Sequence, residues 1–309
     1  GKELWCNECP DDGPQVIGID GPSVIAAMQH IPNSEIRKEL YINYISKASE
    51  NEEVINTIMN KKLEKANILG FENYTQLSLS VKMAKNEETI LEMLNNLQEA
   101  ALPHALKEND EIINYAKKNG VDREIQPWDT PYWSERMREN KFNLKEEELK
   151  PYFSLDNVLR ELFAIANRLF GIYIQERIEK VEKWHTDVRY YDVYQGDNSN
   201  NEIIAGFYLD PYVRPETKRS GAWMGSCVDK NRALGHNVPV AYLICNGSPP
   251  SKDKPSLLSF SDVETLFHEF GHGLQHMLTT VEEGSASGIN KIEWDAVELP
   301  SQFMENWCW

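Results

Sequence analysis

Positive charge is what this chain has least of. Its 309 residues carry 32 lysines and arginines against 49 aspartates and glutamates, a formal net charge of −17. So acidic a surface repels phosphate backbones and anionic lipid. Nucleic acid and membrane are thereby excluded as main partners, and neutral or basic ligands are favoured. Long apolar runs are missing as well. The best candidate, Leu162 to Ile174, is interrupted by Asn167 and Arg168, so no segment reads as a transmembrane helix. No charged-then-apolar secretory leader opens the chain, and an upstream targeting peptide removed earlier would leave no trace. Cysteine is scarce: Cys6, Cys9, Cys227, Cys245 and Cys308 make an odd set of five. That fits reduced thiols in an intracellular compartment. The expectation is the cytoplasm, or a mitochondrion or plastid if a targeting peptide was removed. Cys6-Asn7-Glu8-Cys9 is a lone pair with no second pair at finger spacing, and it reads as structural or incidental.

The length suggests about two domains with ample core. Residues 1–22, rich in Gly, Pro and Asp, read as loop or short extended structure. From Ser23 to about Gly120 the pattern is helical. Apolar residues recur at three- and four-residue steps over Ile36 to Ala48, Glu52 to Leu69 and Glu87 to Lys118. Gly70 and Gly120 are natural helix stops, Pro103 should kink or break the third helix, and Met93, Leu94 and Leu97 read as core. Gln126 to Trp133 is an aromatic and proline-rich connection, and a domain transition is placed near Tyr152. Ser154 to Phe170 is an amphipathic helix ending at Gly171. Trp184 to Tyr194 and Glu202 to Tyr208 form a hairpin about the turn 196–201, and Pro239 to Cys245 is a further strand.

One stretch carries chemistry. His268-Glu269-Phe270-Gly271-His272 is His-Glu-x-x-His. On a helix, positions i and i+4 lie on one face, so His268 and His272 can direct two imidazoles at one metal ion. Glu269 is placed to reach water at that metal, and zinc suits a set of imidazole and carboxylate ligands with an open position. The chemistry expected is metal-assisted hydrolysis with Glu269 as general base. Ser261 and Glu264 read as a capping box that starts the helix, and Val263, Leu266, Phe267, Phe270, Leu274 and Leu278 form its buried stripe. His276 repeats the i+4 step, but three ligands on one straight helix converge poorly on a tetrahedral ion. It is read as a surface histidine or one that supports a ligand from outside. A third ligand is needed. Spacing alone leaves Glu298 open against Glu282, Glu283, Glu293 and Asp295.

His-Glu-Phe-Gly-His followed by Glu298-Leu-Pro-Ser-Gln-Phe-Met-Glu-Asn-Trp resembles the thimet oligopeptidase and oligopeptidase A family of zinc metallopeptidases, nearest to the oligopeptidase A branch. Further agreement runs through Gly70-Phe71-Glu72-Asn73-Tyr74, Gln126-Pro127-Trp128-Asp129, Gly206 to Asp210, Gly221 to Met224 and Val240 to Leu243, covering about Pro22 to Trp309. The resemblance implies one Zn2+ held by His268, His272 and Glu298, with Glu269 as catalytic base. It implies a mainly α fold with a small β-sheet (α+β), zincin-like and multihelical, with a deep channel that admits short peptides. Residues 1–150 would be the helical part of the distal channel half, and 151–309 the zinc-bearing half. The full-length form is expected to be a monomer.

Family members are longer at both ends. Their substrate-facing tyrosines and histidine, on a glycine-rich loop, belong to a later segment. The chain as given is therefore expected to bind zinc more readily than it cleaves peptides. The alternative is a peptide-binding or structural fragment with no turnover. Ala241-Tyr242-Leu243 is one place where an extended peptide can pair, with an ordinary buried strand as the equal alternative. Asp295 can orient a ligand imidazole or cap the Glu298 helix.

Overall fold

The computed structural model describes residues 17–19, 21–196, 202–214, 216–250 and 255–309. The Cys6–Cys9 pair lies outside the described residues, as does most of the hairpin turn 196–201. The chain divides after Leu144 into two compact units, earlier than the Tyr152 region where composition placed a transition.

The first unit is helical: α1 Gly21–His30, α2 Ser34–Ile45, α3 Glu52–Ile68, α4 Tyr74–Leu79, α5 Glu87–Lys118 and α6 Thr130–Phe142. Asn33, Asn73 and Asn86 cap α2, α4 and α5, each side-chain oxygen accepting from first-turn N–H groups. Gly70 and Gly120 follow α3 and α5 at positive φ, as helix stops require. α5 runs through Pro103 unbroken. Proline forfeits one helical hydrogen bond, and here the neighbouring turn is exposed, so water can satisfy the freed carbonyl. Met93, Leu94 and Leu97 are not core: each is at least half exposed. α5 packs on α6 near its C-terminal end, where Tyr115 meets Trp133 and the Tyr115 hydroxyl donates to the Arg136 carbonyl at 3.2 Å.

The Gln126–Trp133 stretch, read as a connection, is the anchor of this unit. Asp129 and Arg37 are both buried and paired at 2.6 Å. Arg37 also donates to the Trp128 carbonyl at 2.9 Å and the Ile31 carbonyl at 2.6 Å, and lies 4.5 Å over the Tyr132 ring. Asp129 accepts further from Ser34, Arg123 and the Gln126 N–H. A small core of Val24, Ala27, Met28 and Leu40 packs with Trp128 beside it.

The second unit begins with the short α7 Glu146–Leu149 and the amphipathic α8 Leu155–Phe170, closed by Gly171 at φ +64. Strands follow: β1 Ile172–Glu176, β2 Arg189–Gln195, β3 Ile203–Tyr212, β4 Trp223–Val228 and β5 Val240–Gly247. The sheet order is β1-β2-β3-β5-β4, with β3 and β5 parallel and the other neighbours antiparallel. β2 and β3 are the expected hairpin, shortened because Trp184 sits before β2 and donates its indole N–H to Asp210 at 2.9 Å. The long helix α9 Phe260–Met277 and the short α10 Leu299–Glu305 complete the unit.

The core lies on one face of this sheet. Tyr191, Val193, Phe207, Leu209, Ala241 and Leu243 alternate onto that face. They meet Val158, Leu159 and Leu162 of α8 and Val263, Leu266, Phe270 and Leu274 of α9. Each such side chain contributes about 1.5–3 kcal/mol on burial, so α9 is fixed against β5 and β4. On the other face Tyr190, Tyr208, Tyr242 and Trp184 pack as a cluster of edge-to-face and tilted rings. Lys218, from the loop before β4, is buried and donates to the Asp210 carboxylate at 3.0 Å and the Tyr212 carbonyl at 2.7 Å. That tie holds the approach to β4, the edge strand beside α9.

Candidate metal centre

α9 starts with a capping box at Ser259 and Asp262, earlier than the Ser261–Glu264 pair of the same spacing. Asp262 N–H donates to Ser259 Oγ at 3.1 Å, and Ser259 N–H to Asp262 Oδ2 at 2.9 Å. The first turn sits there because Phe260 packs between Phe153 and Trp309. Downstream, His268 and His272 project from one face, with ring centroids 4.9 Å apart and nearly perpendicular.

Glu298 immediately precedes α10 and brings its carboxylate to both rings. Its Oε2 lies 3.2 Å from His268 Nε2 and 3.0 Å from His272 Nε2. One ligand atom from each residue lies within 4.8 Å of the others. Among the described residues these three form the cluster able to hold an ion. Of the five acidic residues left open by spacing, Glu298 is the one brought to the histidines. The Ser301 hydroxyl donates to Glu298 Oε2 at 2.8 Å and so orients it.

Sequence reasoning missed Glu305. Its Oε1 accepts from His268 Nδ1 at 2.6 Å, the place for which Asp295 was considered. Asp295 lies in the turn just before α10. Glu298 and Glu305 are two helical turns apart, which places them on one side of α10, and that spacing was the available signal. The contact fixes a tautomer. With its Nδ1 proton given to Glu305, a neutral His268 faces Glu298 with an Nε2 lone pair. Lone pair against carboxylate is favourable only with a cation or a second proton between them. The donor set therefore fits a metal ion, and two imidazoles with one carboxylate fit zinc.

The charges agree. Burial lowers the pKa of His272, against the pull of the Glu298 carboxylate, and favours the neutral ligand form. Burial alone would raise Glu298, but the Ser301 hydrogen bond and the two histidines hold it below the ordinary carboxylate value. Glu269 is buried, and its Oε2 has no hydrogen-bond partner. Burial pushes it up to about 7, with Glu298 adding and His268 and the Met224 N–H opposing. A carboxylate oxygen kept buried without a partner has a cost that packing does not explain.

Gly271 has a steric reason. A Cβ there would lie 2.5 Å from the Pro300 carbonyl and 2.6 Å from Ser301 Cα, so α9 and α10 touch backbone to backbone. At Gly273 the nearest neighbour is the flexible end of Leu243, at 3.1 Å. Gly271→Ala should push α10 away at a cost of about 1–3 kcal/mol, carrying Glu298 off the histidines. Calorimetric zinc titration should show weakened binding, and Gly273→Ala a milder change. Equal zinc affinity in the two variants would refute the contact's role.

Two earlier readings change. His276 is neither on the surface nor beside a ligand: it is fully buried, and its Nε2 is 3.0 Å from the Val228 carbonyl. Ala241-Tyr242-Leu243 belongs to β5, whose two edges are taken by β3 and β4. An added strand needs unpaired N–H and C=O groups, so β5 cannot receive a peptide. β4, with an edge that no described strand pairs, can.

A family model described as peptidase family M3 matches residues 27–309. The chain is 46% identical to "Organellar oligopeptidase A, chloroplastic/mitochondrial" of Arabidopsis thaliana, with 98% of this chain and 39% of that protein covered. It is 46% identical to "Probable cytosolic oligopeptidase A" of the same plant, with 97% and 44% covered. Against "Oligopeptidase A" of Escherichia coli the identity is 43%, with 95% and 44% covered. The chain thus spans less than half the length of these relatives.

Proposed function

The chain belongs to peptidase family M3, and we propose that it carries the catalytic metal centre of a zinc-dependent endopeptidase acting on short oligopeptides. One observation carries this reading: His268, His272 and Glu298 converge their ligand atoms within 4.8 Å beside a buried Glu269 that has an unpartnered oxygen. In this reading residues 151–309 are the zincin-like catalytic half, and 1–150 are the helical part of the distal half of a deep substrate channel. Cytoplasm is the compartment assigned, with the organellar relative carrying the mitochondrial or plastid alternative.

His268, His272 and Glu298 would hold the ion. Zinc bound there supplies a Lewis acid and brings the pKa of water toward 7. Glu269 takes a proton from the attacking water and passes it to the leaving amine. Glu305 keeps His268 in the ligand tautomer, and Ser301 keeps Glu298 turned to the rings. The extended peptide adds along the outer edge of β4, which no described strand pairs.

The test is zinc content by mass spectrometry together with cleavage of a quenched fluorescent peptide, with and without chelator. The expected result is one zinc per chain, lost in Glu298→Ala and kept in Glu293→Ala, with chelator-sensitive cleavage in a peptidase-active preparation. Loss of zinc in Glu293→Ala alone would overturn the ligand set. Stoichiometric zinc with peptide binding and no cleavage would instead support a peptide-binding or structural part of such an enzyme.

A further inference from the structure

The geometry points to His276 as a positioning residue: it ties the edge strand β4 to the zinc-bearing helix and so sets the strand on which a peptide would lie. Three observations carry this. His276 is 0% exposed, and its Nε2 lies 3.0 Å from the carbonyl oxygen of Val228, the last residue of β4. A carbonyl can only accept, so Nε2 carries the proton and donates it. Second, the same helix packs against β4, so α9 backs the strand as well as tying its end. Third, the turn beyond α9 is shaped around this ring. Gly288 sits at φ +61, and a Cβ there would come within 2.6 Å of His276 Nδ1, so only glycine lets the turn close over it. Gln275 Nε2 donates to the Gly288 carbonyl at 3.3 Å beside it.

The position of β4 needs such a tie. β4 pairs with β5 alone, its register shifts between Ser226 and Val228, and its outer edge has no described partner. An edge strand with an irregular end frays unless something holds it. His276 supplies the hold from the element that carries both ligand histidines. The distance from β4 to the metal is then set by α9 itself rather than by loops. The role in peptide placement rests on the peptidase reading given above; the tie itself does not.

The experiment uses the zinc-loaded chain. His276→Leu removes the donor and keeps apolar volume; His276→Gln keeps an N–H near the position of Nε2. Hydrogen exchange read by mass spectrometry should show amides of residues 223–228 exchanging about tenfold faster in the Leu variant, since a buried carbonyl loses its partner. α9 should stay protected and zinc should stay stoichiometric. The Gln variant should restore most of the protection. With the quenched peptide and a peptidase-active preparation, KM should rise several-fold in the Leu variant with kcat little changed, and Gln should recover it. Unchanged β4 exchange in the Leu variant overturns the tie. If the Leu variant loses protection throughout the unit, the Gln variant decides: parental β4 protection supports the tie, and a loosened β4 overturns it. A loosened β4 with unchanged KM overturns the role in peptide placement. If no preparation cleaves peptide, the peptidase reading fails, while the exchange result still judges the tie.

Discussion

Glu269→Gln should leave zinc binding intact and lower peptide turnover by about a hundred- to ten-thousandfold, the range that a positioned general base contributes. The substitution changes no ligand: His268, His272 and Glu298 keep their atoms, and Gln has the shape of Glu. It removes the group that accepts and returns the proton. It also removes a buried carboxylate whose Oε2 has no partner, so the variant should melt at a higher temperature, as expected where a residue is kept for chemistry at the expense of stability. The checks are zinc content, melting temperature and the cleavage rate in a peptidase-active preparation, all on the same variant. Comparable turnover would rule out Glu269 as base. Lost zinc would mean that Glu269 belongs to the ligand set.

How much of this centre could be read from the chain depends on how local each part is. His268, Glu269 and His272 are fixed relative to one another by helix geometry alone, so their spacing sufficed. Glu298 comes from a different element, and spacing left it among five acidic residues until the longer motif through Trp307 was matched to a family. Glu305 was missed because its role exists only once α10 lies on α9. That crossing depends on Gly271, whose neighbour in sequence gives no hint of the Pro300 carbonyl it must accommodate. His276 was misread for a related reason. The rule that three histidines on one helix cannot share a tetrahedral ion is sound, but it says only what His276 is not. Its partner, the Val228 carbonyl, lies on a strand that sequence did not reveal.

That strand shows where periodicity fails. Trp223-Met-Gly-Ser-Cys-Val has no clean alternation, because an edge strand beside a helix is partly covered on both faces. β1 was hidden by its length, five residues directly after the Gly171 helix stop. By contrast α8 and β5 were legible, since each presents a continuous buried face to the same core. In the first unit the apolar period of α5 correctly gave a helix. Its inference of burial for Met93, Leu94 and Leu97 was wrong, because period reports a face and not what covers it.

The second large effect is expected in the helical unit. Asp129→Asn should destabilise the helical unit by about 3–5 kcal/mol, the cost of leaving a buried partner charge unpaired. Arg37 would keep its carbonyl acceptors at Trp128 and Ile31 but lose its counter-charge, and one of the two oxygens that gather Arg123, Ser34 and the Gln126 N–H would become an amide NH2, a donor set among donors. The pH dependence follows from the same contacts. Burial alone would raise the Asp129 carboxyl, but hydrogen bonds from Arg123, Ser34, the Gln126 N–H and Arg37 hold it far below the ordinary carboxylate value. A depressed carboxyl binds its proton more weakly folded than unfolded. Its contribution is therefore complete above the unfolded value of about 3.9 and is lost as the pH falls from there through the depressed one. The parent chain should lose stability in this unit as the pH is lowered below about 4, and the Asn variant should lose less over the same interval because it has less to lose. Urea titration followed by hydrogen exchange of residues 21–45, at neutral pH and at mildly acidic steps below it, measures both. A variant within about 1 kcal/mol of the parent at neutral pH would contradict the argument, because removing one member of a paired, desolvated set should cost more than an exposed ion pair ever does.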